Sequence, residues 1–280
     1  MYAYVSVLST EGFVPGALVL WESLKRTEPA YAFYLLVTQG VSANCERELR
    51  SLGMNVLRDD SEVLTPPKPI GEGHRWQHTF DKIKIFNLVE FEKIVYLDAD
   101  MYVCRNIDAL FDRPHFSAVE NRGSQDWLDG RKYFNSGLMV IEPSADEFHA
   151  IKALIAPTIS RCLDAGIACG DQNVLNVYVE NWPDRADLHL DDGYNVFWGS
   201  IDQYLSDFDF TLGTETGRRR ISVIHFTGKS KPWINELEYR LKVWLRPLRN
   251  HKLPSPQATQ LLGDYFTILR SFESKGGWRR

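Results

Sequence analysis

Apolar residues in the first part of the chain form short continuous runs that alternate with segments of helical spacing. The runs at 2–8, 33–37 and 93–97 predict strands buried on both faces, because about four to eight consecutive apolar residues are typical of such strands. Between them, Pro15 begins a helical apolar pattern and Ser42 is placed to cap a second helix. This alternation predicts a doubly wound α/β fold, with helices on both faces of a parallel sheet.

The pattern extends to about residue 233 and becomes looser after Asp100. It predicts a strand at 55–57, a loop at 65–71, a helix at 80–89, a strand at 133–141, a helix capped by Ser144 that runs through Leu163, and a strand at 221–226. We therefore predict one α/β domain at 1–233 and a helical tail at 234–280.

Bulk composition narrows the class of protein. The 280 residues are 44% hydrophobic and 12% aromatic, which excludes an intrinsically disordered chain. The net charge of −5 gives no global basic field, so we predict no nucleic-acid partner. The four cysteines form no CxxC pair, and no window has the length and hydrophobicity of a leader or a spanning helix. We expect reduced, mostly buried cysteines and a cytoplasmic protein.

Positive charge is concentrated in the predicted tail. Residues 234–280 hold nine Lys/Arg and four Asp/Glu, a net charge of +5, together with aromatic residues that include Trp244, Tyr265 and Trp278. Two interpretations stay open for this segment. It is either an amphipathic appendage packed on the main domain, or a peripheral contact with the inner face of a membrane.

The strongest local signal lies at the end of the strand at 93–97. The apolar run delivers Asp98 and Asp100, whose i and i+2 spacing places both carboxylates on one face of an extended chain. Neighbouring carboxylates repel each other unless a cation neutralises them, so the pair predicts a divalent metal that could bridge a pyrophosphate. The alternative is a turn or helix cap at the strand end.

A second candidate group follows the strand at 221–226. His225 closes the strand, and an imidazole that completes a carboxylate site shifts the preferred ion from Mg²⁺ toward Mn²⁺. Gly228 lets the backbone approach a phosphate, and Lys231 supplies positive charge. Lys82, earlier in the chain, is a further candidate for a diphosphate. The alternatives are a structural histidine satisfied by hydrogen bonds and a solvated helix lysine.

Two polar pairs are candidates for contact with a sugar. Asn135 and Ser136 enter the strand at 133–141, where an amide and a hydroxyl can hydrogen-bond sugar hydroxyls. Asp171 and Gln172 open a helical segment, and their alternative role is to cap that helix. The functional interpretation places Asp171 and Gln172 across a donor sugar, and the alternative for Asn135 and Ser136 is an ordinary turn.

Taken together and in order, these residues resemble glycosyltransferase family 8, and within it the glycogenin-like members. The resemblance covers residues 1 to about 233, and the ordered set of motifs is highly specific. The matching stretches are Gly16–Leu20 with Ser23–Leu24, Lys82, Asp98–Asp100, Asn106–Phe111, Phe134–Gly137, Gly170–Gln172 and His225–Trp233.

The resemblance implies a GT-A type fold, a doubly wound mixed sheet that binds a nucleotide, here followed by the helical tail. It also implies a retaining hexosyltransferase with a UDP-sugar donor and Mn²⁺, Mg²⁺ being the alternative ion. Position by position, it assigns the metal to Asp98, Asp100 and His225, the nucleotide to Val7, Leu8, Ser9, Thr10, Phe13 and Ala99, the diphosphate to Lys82, Gly228 and Lys231, and the donor sugar to Asn135, Ser136, Asp171 and Gln172. The implied catalytic residues are Asp171, Gln172 and Lys82.

The chain departs from the pattern of the resembled family at two positions. Phe13 stands where glycogenin-like proteins often carry an aromatic hydroxyl, which affects only the packing on uracil. Ala168 stands where they carry an acidic residue, which leaves Asp171 as the better acid candidate near the sugar. No acceptor tyrosine aligns, and nothing in the sequence singles out Tyr194 or Tyr204.

The acceptor is therefore left open between a glycan, a protein and a polyol such as inositol, as in galactinol synthases. A self-glycosylating primer or scaffold, as in glycogenin proper, is an alternative function, and a homodimer is a further expectation. A haloacid-dehalogenase-type phosphatase is disfavoured, because its DxDx[TV] motif lies near the N-terminus. Here the fifth position is Tyr102 and the motif lies in mid-chain.

Overall fold

The structure, a computed structural model, describes residues 1–61, 64, 79–122, 131–214, 216–245 and 255–274. Its strands are β1 Tyr2–Leu8, β2 Phe33–Thr38, β3 Asn55–Asp59, β4 Lys93–Leu97, β5 Met101–Val103, β6 Ala118–Glu120, β7 Phe134–Ile141, β8 Val196–Phe197, β9 Phe210–Thr211, β10 Arg219–Arg220 and β11 Val223–His225. Its α-helices are α1 Val14–Lys25, α2 Ala43–Ser51, α3 Ala145–Ala153, α4 Ile155–Asp164, α5 Asp171–Tyr178, α6 Ile201–Ser206, α7 Glu236–Leu245 and α8 Pro256–Ser274.

The elements divide between two compact units. The first unit comprises Met1–Glu11, Tyr31–Leu97 and Asp108–Asp191. The second unit comprises Gly12–Ala30, Asp98–Ile107 and Asp192–Arg280.

The first unit is built on a six-stranded sheet in the order β3-β2-β1-β4-β7-β6. β3, β2, β1 and β4 are parallel, whereas β7 runs antiparallel to both β4 and β6. The strands predicted at 2–8 and 93–97 are β1 and β4. The strand order reverses between these two, and ligands of doubly wound folds bind beyond the carboxyl ends of the strands at such a point. The predicted doubly wound mixed sheet is thus confirmed.

The segment predicted as a helix at 80–89 is a 3₁₀ helix at Thr79–Asn87. Every residue from Phe80 to Phe86 is buried, and the apolar ones join the core of the first unit. The enclosure includes two lysines, Lys82 and Lys84. Because a buried ammonium is costly without a counter-charge, each needs a carboxylate partner inside the fold.

The helix predicted from Ser144 through Leu163 is two helices, α3 and α4, which meet at Leu154. Ser144 caps α3 as expected. Pro157 explains the break, because it has no amide hydrogen and its ring would clash with the carbonyl of Ala153 if one helix ran through. Leu163, expected on the buried face, is exposed.

The second unit contains a three-stranded sheet in the order β5-β11-β8. β11 is antiparallel to β5 and parallel to β8. α1 packs on α8 through Trp21 and Phe272, whose ring centroids lie 6.2 Å apart. Tyr265 of α8 contacts the rings of Tyr102 and Phe226, with centroid distances of 6.4 and 4.9 Å. These contacts anchor α8 in the second unit.

The two described helices of the predicted tail differ in burial. α8 buries an apolar face that includes Leu262 and Phe266. α7 leaves Leu237 and Trp244 82% and 55% exposed. None of the described helices has the length and hydrophobicity needed to span a membrane. A domain boundary at 233 and membrane contact through the tail stay predictions.

The expectation that the cysteines are mostly buried is confirmed. All four side chains are free thiols, of which Cys104 is half-buried and the other three are buried. Two sequence features, the loop predicted at 65–71 and Trp278, lie outside the described residues.

Candidate functional site

Strand pairing in the second unit brings the predicted metal ligands together. Asp98 follows β4 directly in the chain, and Asp100 directly precedes β5. β5 pairs with β11 so that Met101 lies opposite His225, and the Phe226 amide donates to the Asp100 carbonyl oxygen at 2.9 Å. The register of these two short strands therefore sets His225 beside the aspartates.

Asp98, Asp100 and His225 form a compact donor set, here called the metal cluster. His225 Nε2 lies 3.1 Å from Asp100 Oδ1 and 3.6 Å from Asp98 Oδ2. One ligand atom from each residue lies within 4.8 Å of the others. Neighbouring ligands of an octahedral ion with bonds of about 2.1 Å are about 3 Å apart, and opposite ones about 4.2 Å apart. The cluster fits one small divalent cation.

Lys231 places a positive charge against the metal cluster. Its Nζ forms an ion pair with Asp100 Oδ2 and donates to the Phe226 carbonyl oxygen at 2.8 Å. Burial disfavours the ionised Asp100, but His225 and Lys231 outweigh this effect and hold the pKa of the carboxyl well below its usual range. Asp100 is therefore ionised at neutral pH, as a metal ligand must be.

Close packing against α1 fixes the turn between the two aspartates. A Cβ at Gly16 would lie 2.6 Å from the Ala99 carbonyl oxygen and 2.7 Å from the Trp233 ring, so only glycine leaves room. Trp233 Nε1 donates to the Gly12 carbonyl oxygen at 2.9 Å, and its ring meets Phe13 edge-on. Phe13 is 39% exposed, which leaves ring surface for the base that it is predicted to face.

The remaining predicted nucleotide and diphosphate residues lie at strand ends. β1 ends in Val7–Leu8, and Ser9–Thr10 follow it in the first unit. Gly228, in the second unit, has a φ of +97°, a conformation that side chains other than that of glycine rarely adopt. A Cβ there would meet no atom within 4 Å, so the backbone conformation, and not crowding, requires glycine.

A cluster of polar side chains lies in the first unit. Lys82 Nζ is 2.8 Å from Asp171 Oδ2 and donates to the hydroxyl and carbonyl oxygens of Ser136, at 3.1 Å each. The Ser136 hydroxyl donates to the same Asp171 oxygen at 2.7 Å. All three residues are buried, so the ammonium and the carboxylate neutralise each other. The structure thus groups Lys82 with the predicted sugar residues, and its contact with a diphosphate stays a prediction.

Asn135 and Gln172 complete this group, and the five residues Lys82, Asn135, Ser136, Asp171 and Gln172 are called the polar cluster below. Asn135 Nδ2 donates to Gln172 Oε1 at 2.9 Å, and the Ser136 amide donates to the same oxygen at 3.3 Å. All four residues predicted to surround a sugar are therefore brought together in the fold.

The N-cap of α5 is neither Asp171 nor Gln172, the two residues considered for that role from the sequence. Gly170 is the N-cap, and its amide donates to Asn173 Oδ1 at 2.9 Å. Neither Asp171 nor Gln172 serves as the cap. The carboxylate of Asp171 is committed instead to Lys82 and Ser136.

Sequence reasoning missed two supporting asparagines. Asn176 Nδ2 donates to the Phe134 carbonyl oxygen at 3.0 Å, and its Oδ1 accepts from the Phe134 amide at 3.2 Å, which ties α5 to β7. Asn195 Oδ1 lies 3.0 Å from His225 Nδ1. Neither asparagine stands in a segment with recognisable chemistry, so only their spatial partners reveal them. Asn195 follows Tyr194, which the sequence raised solely as an acceptor candidate.

Comparison with known proteins gives a family and several relatives. The family model described as glycosyl transferase family 8 matches residues 4–236. Glycogenin-1 of Homo sapiens is 29% identical over 273 residues, which cover 95% of this chain and 71% of that protein. Glycogenin-1 of Mus musculus is 30% identical over 239 residues, which cover 82% of this chain and 65% of that protein.

A plant relative shows that the similarity extends beyond glycogenins. UDP-glucuronate:xylan alpha-glucuronosyltransferase 2 of Arabidopsis thaliana is 29% identical over 242 residues, which cover 85% of this chain and 36% of that protein. The chain spans about two thirds of the mouse glycogenin and about a third of the plant enzyme.

Two solved structures share the fold. The galactosyltransferase LgtC, in complex with donor and acceptor sugar analogues, has a TM-score of 0.63 at 16% identity and covers 97% of this chain and 96% of that one. The glycosyltransferase GlyE of Streptococcus pneumoniae TIGR4 has a TM-score of 0.58 at 17% identity and covers 100% of this chain and 66% of that one. The predicted GT-A type fold, with a helical C-terminal segment, is confirmed.

Proposed function

Because this chain belongs to glycosyltransferase family 8, we propose that it transfers a hexose from a UDP-sugar to an acceptor hydroxyl, with retention of anomeric configuration and with Mn²⁺ as the cofactor. The observation that carries the proposal is the metal cluster, in which two carboxylates and an imidazole converge with low solvent exposure. Such a donor set at the end of β4 is suited to binding a cation that neutralises a diphosphate.

When bound, the divalent cation would supply Lewis-acid stabilisation of the charge that develops on the leaving diphosphate. Asp98 and Asp100 would hold it through oxygen and His225 through Nε2. Lys231 forms an ion pair with Asp100, and we assign its ammonium to a diphosphate oxygen. Gly228 leaves the backbone accessible in the same turn.

The polar cluster is assigned to the donor sugar. The carboxylate oxygen Oδ2 of Asp171 forms an ion pair with Lys82 and accepts a hydrogen bond from the Ser136 hydroxyl. A nucleophilic attack by Asp171 would disrupt this buried ion pair, which makes the carboxylate a poor nucleophile. Asn135 and Gln172 are polar groups suited to orienting sugar hydroxyls and stabilising positive charge on the ring.

These properties support a front-face substitution. The bond between the anomeric carbon and the diphosphate oxygen breaks, while the bond to the acceptor oxygen forms on the same face of the sugar. The acceptor proton passes to the departing diphosphate oxygen, so no enzyme base is needed. A double displacement would instead require a covalent sugar on a carboxylate.

We propose a separate glycan, polyol or protein as the acceptor. Tyr204 is 6% exposed, and its ring packs against Phe208 and Phe210 with centroids 5.5 and 5.1 Å away. A residue held in this way is a poor internal acceptor. A self-glycosylating primer is the second candidate, favoured by the identity with glycogenins. Mass spectrometry after incubation with UDP-glucose separates the two, since a primer acquires a series of hexose additions.

A donor-hydrolysis screen tests the proposed activity without an acceptor. Purified protein is incubated with individual UDP-sugars and Mn²⁺, and UDP release is measured. We expect release from at least one donor, its loss on chelation, and little release by an Asp98→Asn control. If a folded, Mn²⁺-binding protein releases UDP from none of the donors, the assignment of the donor class is wrong.

NMR of the anomeric proton in early product tests the stereochemistry. An α-linked product from an α-linked donor is expected. A β-linked product would rule out retention, and a sugar trapped covalently on Asp171 would rule out the front-face route.

A further inference from the structure

Asn195 contacts the histidine of the metal cluster at the nitrogen that faces away from the aspartates. Its Oδ1 lies 3.0 Å from His225 Nδ1, and both residues are buried. β8 pairs in parallel with β11 and places Phe197 opposite His225. The backbone N–H of Asn195 donates to the Asp192 carbonyl oxygen at 3.0 Å. Main-chain contacts therefore fix the position of Asn195 independently of its side chain.

The contact with Asn195 determines which nitrogen of the His225 imidazole bears hydrogen. A neutral imidazole has one nitrogen that bears hydrogen and one with a free lone pair. The amide oxygen of asparagine only accepts, so a hydrogen bond with Asn195 Oδ1 requires the hydrogen on Nδ1. When a cation binds, the lone pair for it is then on Nε2, the atom 3.1 Å from Asp100 Oδ1. This is the tautomer that can bind a cation together with the carboxylates.

We propose that Asn195 is a positioning residue of the metal cluster, whose side-chain oxygen holds the Nδ1 hydrogen of His225 and so presents Nε2 to a divalent cation. The inference rests on the metal cluster of the proposed function and adds a residue outside the ligand set. A neutral amide suits this position, because a third buried carboxylate would need further positive charge nearby. Partners of metal-binding histidines typically contribute about 10- to 100-fold to metal affinity.

Mn²⁺ affinity, measured by electron paramagnetic resonance of the free ion, tests the inference without any turnover. Asn195→Leu removes the acceptor at similar volume and is expected to weaken Mn²⁺ binding by about 10- to 100-fold. Asn195→Asp still accepts a hydrogen bond and is expected to bind Mn²⁺ at least as tightly as the wild type. Wild-type affinity in the leucine variant, or equal weakening in both variants, would overturn the inference.

Two controls separate the possible failures. Asp98→Asn tests the metal cluster itself, so unchanged Mn²⁺ affinity there would contradict the proposed function. If Asp98→Asn weakens binding and Asn195→Leu does not, only the present inference fails. Asn176→Leu removes another buried asparagine, in the first unit, and is expected to leave Mn²⁺ affinity unchanged. Equal weakening by Asn176→Leu would show that the effect of Asn195→Leu is general structural damage.

A spectroscopic measurement on the wild type avoids variants that fail to fold. Long-range ¹H–¹⁵N NMR of the Cd²⁺-loaded protein reports which imidazole nitrogen bears hydrogen, and His225→Gln identifies the signal. We expect hydrogen on Nδ1 of His225 and none on Nε2. Hydrogen on Nε2 would show that the asparagine amide donates in place of accepting, and the inference would fail.

Discussion

The metal cluster of the second unit, with Lys231 beside it, and the polar cluster of the first unit both combine carboxylate and lysine side chains at low exposure, but they differ in charge balance. Beside the metal cluster, which has two carboxylates, the ammonium of Lys231 forms an ion pair with Asp100. In the polar cluster, the single carboxylate of Asp171 is matched by Lys82. A metal-binding imidazole must be neutral, so Asp98, Asp100 and Lys231 then give the first group a net charge of about −1, and the second group is neutral.

This difference assigns the two clusters to different tasks. A group with excess negative charge and little exposure to water is poorly hydrated. An added cation therefore stabilises it. A balanced pair gains nothing from an ion and instead holds its neighbours in fixed positions. Low exposure alone would have made the clusters look alike; the count of charges separates them.

The largest expected effect is the loss of transfer on removing one carboxylate of the metal cluster. Asp98→Asn and Asp100→Asn should each lower turnover by about 10³-fold, because the cation contributes several kcal/mol to the leaving group's stabilisation. Chelation should abolish activity, and Mn²⁺ should restore it better than Mg²⁺ through the imidazole ligand. Steady-state rates with a donor from the hydrolysis screen give the measurement.

The two variants should differ in stability. Asp100 forms an ion pair with Lys231, so Asp100→Asn leaves that ammonium facing a neutral amide. Thermal unfolding should therefore show a larger decrease for Asp100→Asn. Near-wild-type turnover in either variant would mean that these carboxylates do not hold the metal.

A smaller effect, on stability, is expected from breaking the balanced pair. Lys82→Met or Asp171→Leu should each lower the free energy of unfolding by about 3 kcal/mol, because each leaves a buried charge without its counter-charge. The double variant should regain much of that loss and still fail to transfer sugar. Denaturant unfolding and turnover are measured in parallel, so that stability and activity are separated.

The neighbouring pair Lys84 and Asp59 provides a matched control. These side chains lie 3.2 Å apart in the same unit, and Lys84 is buried on the same 3₁₀ helix as Lys82. Lys84→Met should destabilise the protein and leave the turnover of the folded fraction intact. If it abolishes transfer as the Lys82 variant does, the polar cluster has no special role.

The smallest effect is expected from Lys231→Met. Removing the ammonium should leave Mn²⁺ affinity unchanged or slightly raised, because a positive charge next to Asp100 is lost. Transfer should still fall by about tenfold, the expected effect of losing one charge-assisted hydrogen bond to the diphosphate. Mn²⁺ titration and donor kinetics give the two values. Weaker Mn²⁺ binding would indicate that Lys231 supports the carboxylates structurally and does not act on the donor.

The sequence by itself determined the strands that are formed by continuous runs of apolar residues. The apolar runs gave β1 and β4 their observed bounds, and the spacing of Asp98 and Asp100 placed both carboxylates at a strand end. The ordered motifs also indicated the family. These properties are local, because strand period and apolar content are fixed by neighbours along the chain.

Tertiary structure alone decided the partners. His225 joins the aspartates through the register of β5 and β11, and Asn195 joins His225 through β8. Lys82 is predicted to contact a diphosphate, and only the fold shows that its partner within the protein is Asp171. Strand register and side-chain partners depend on contacts between residues far apart in sequence, and no local pattern encodes them.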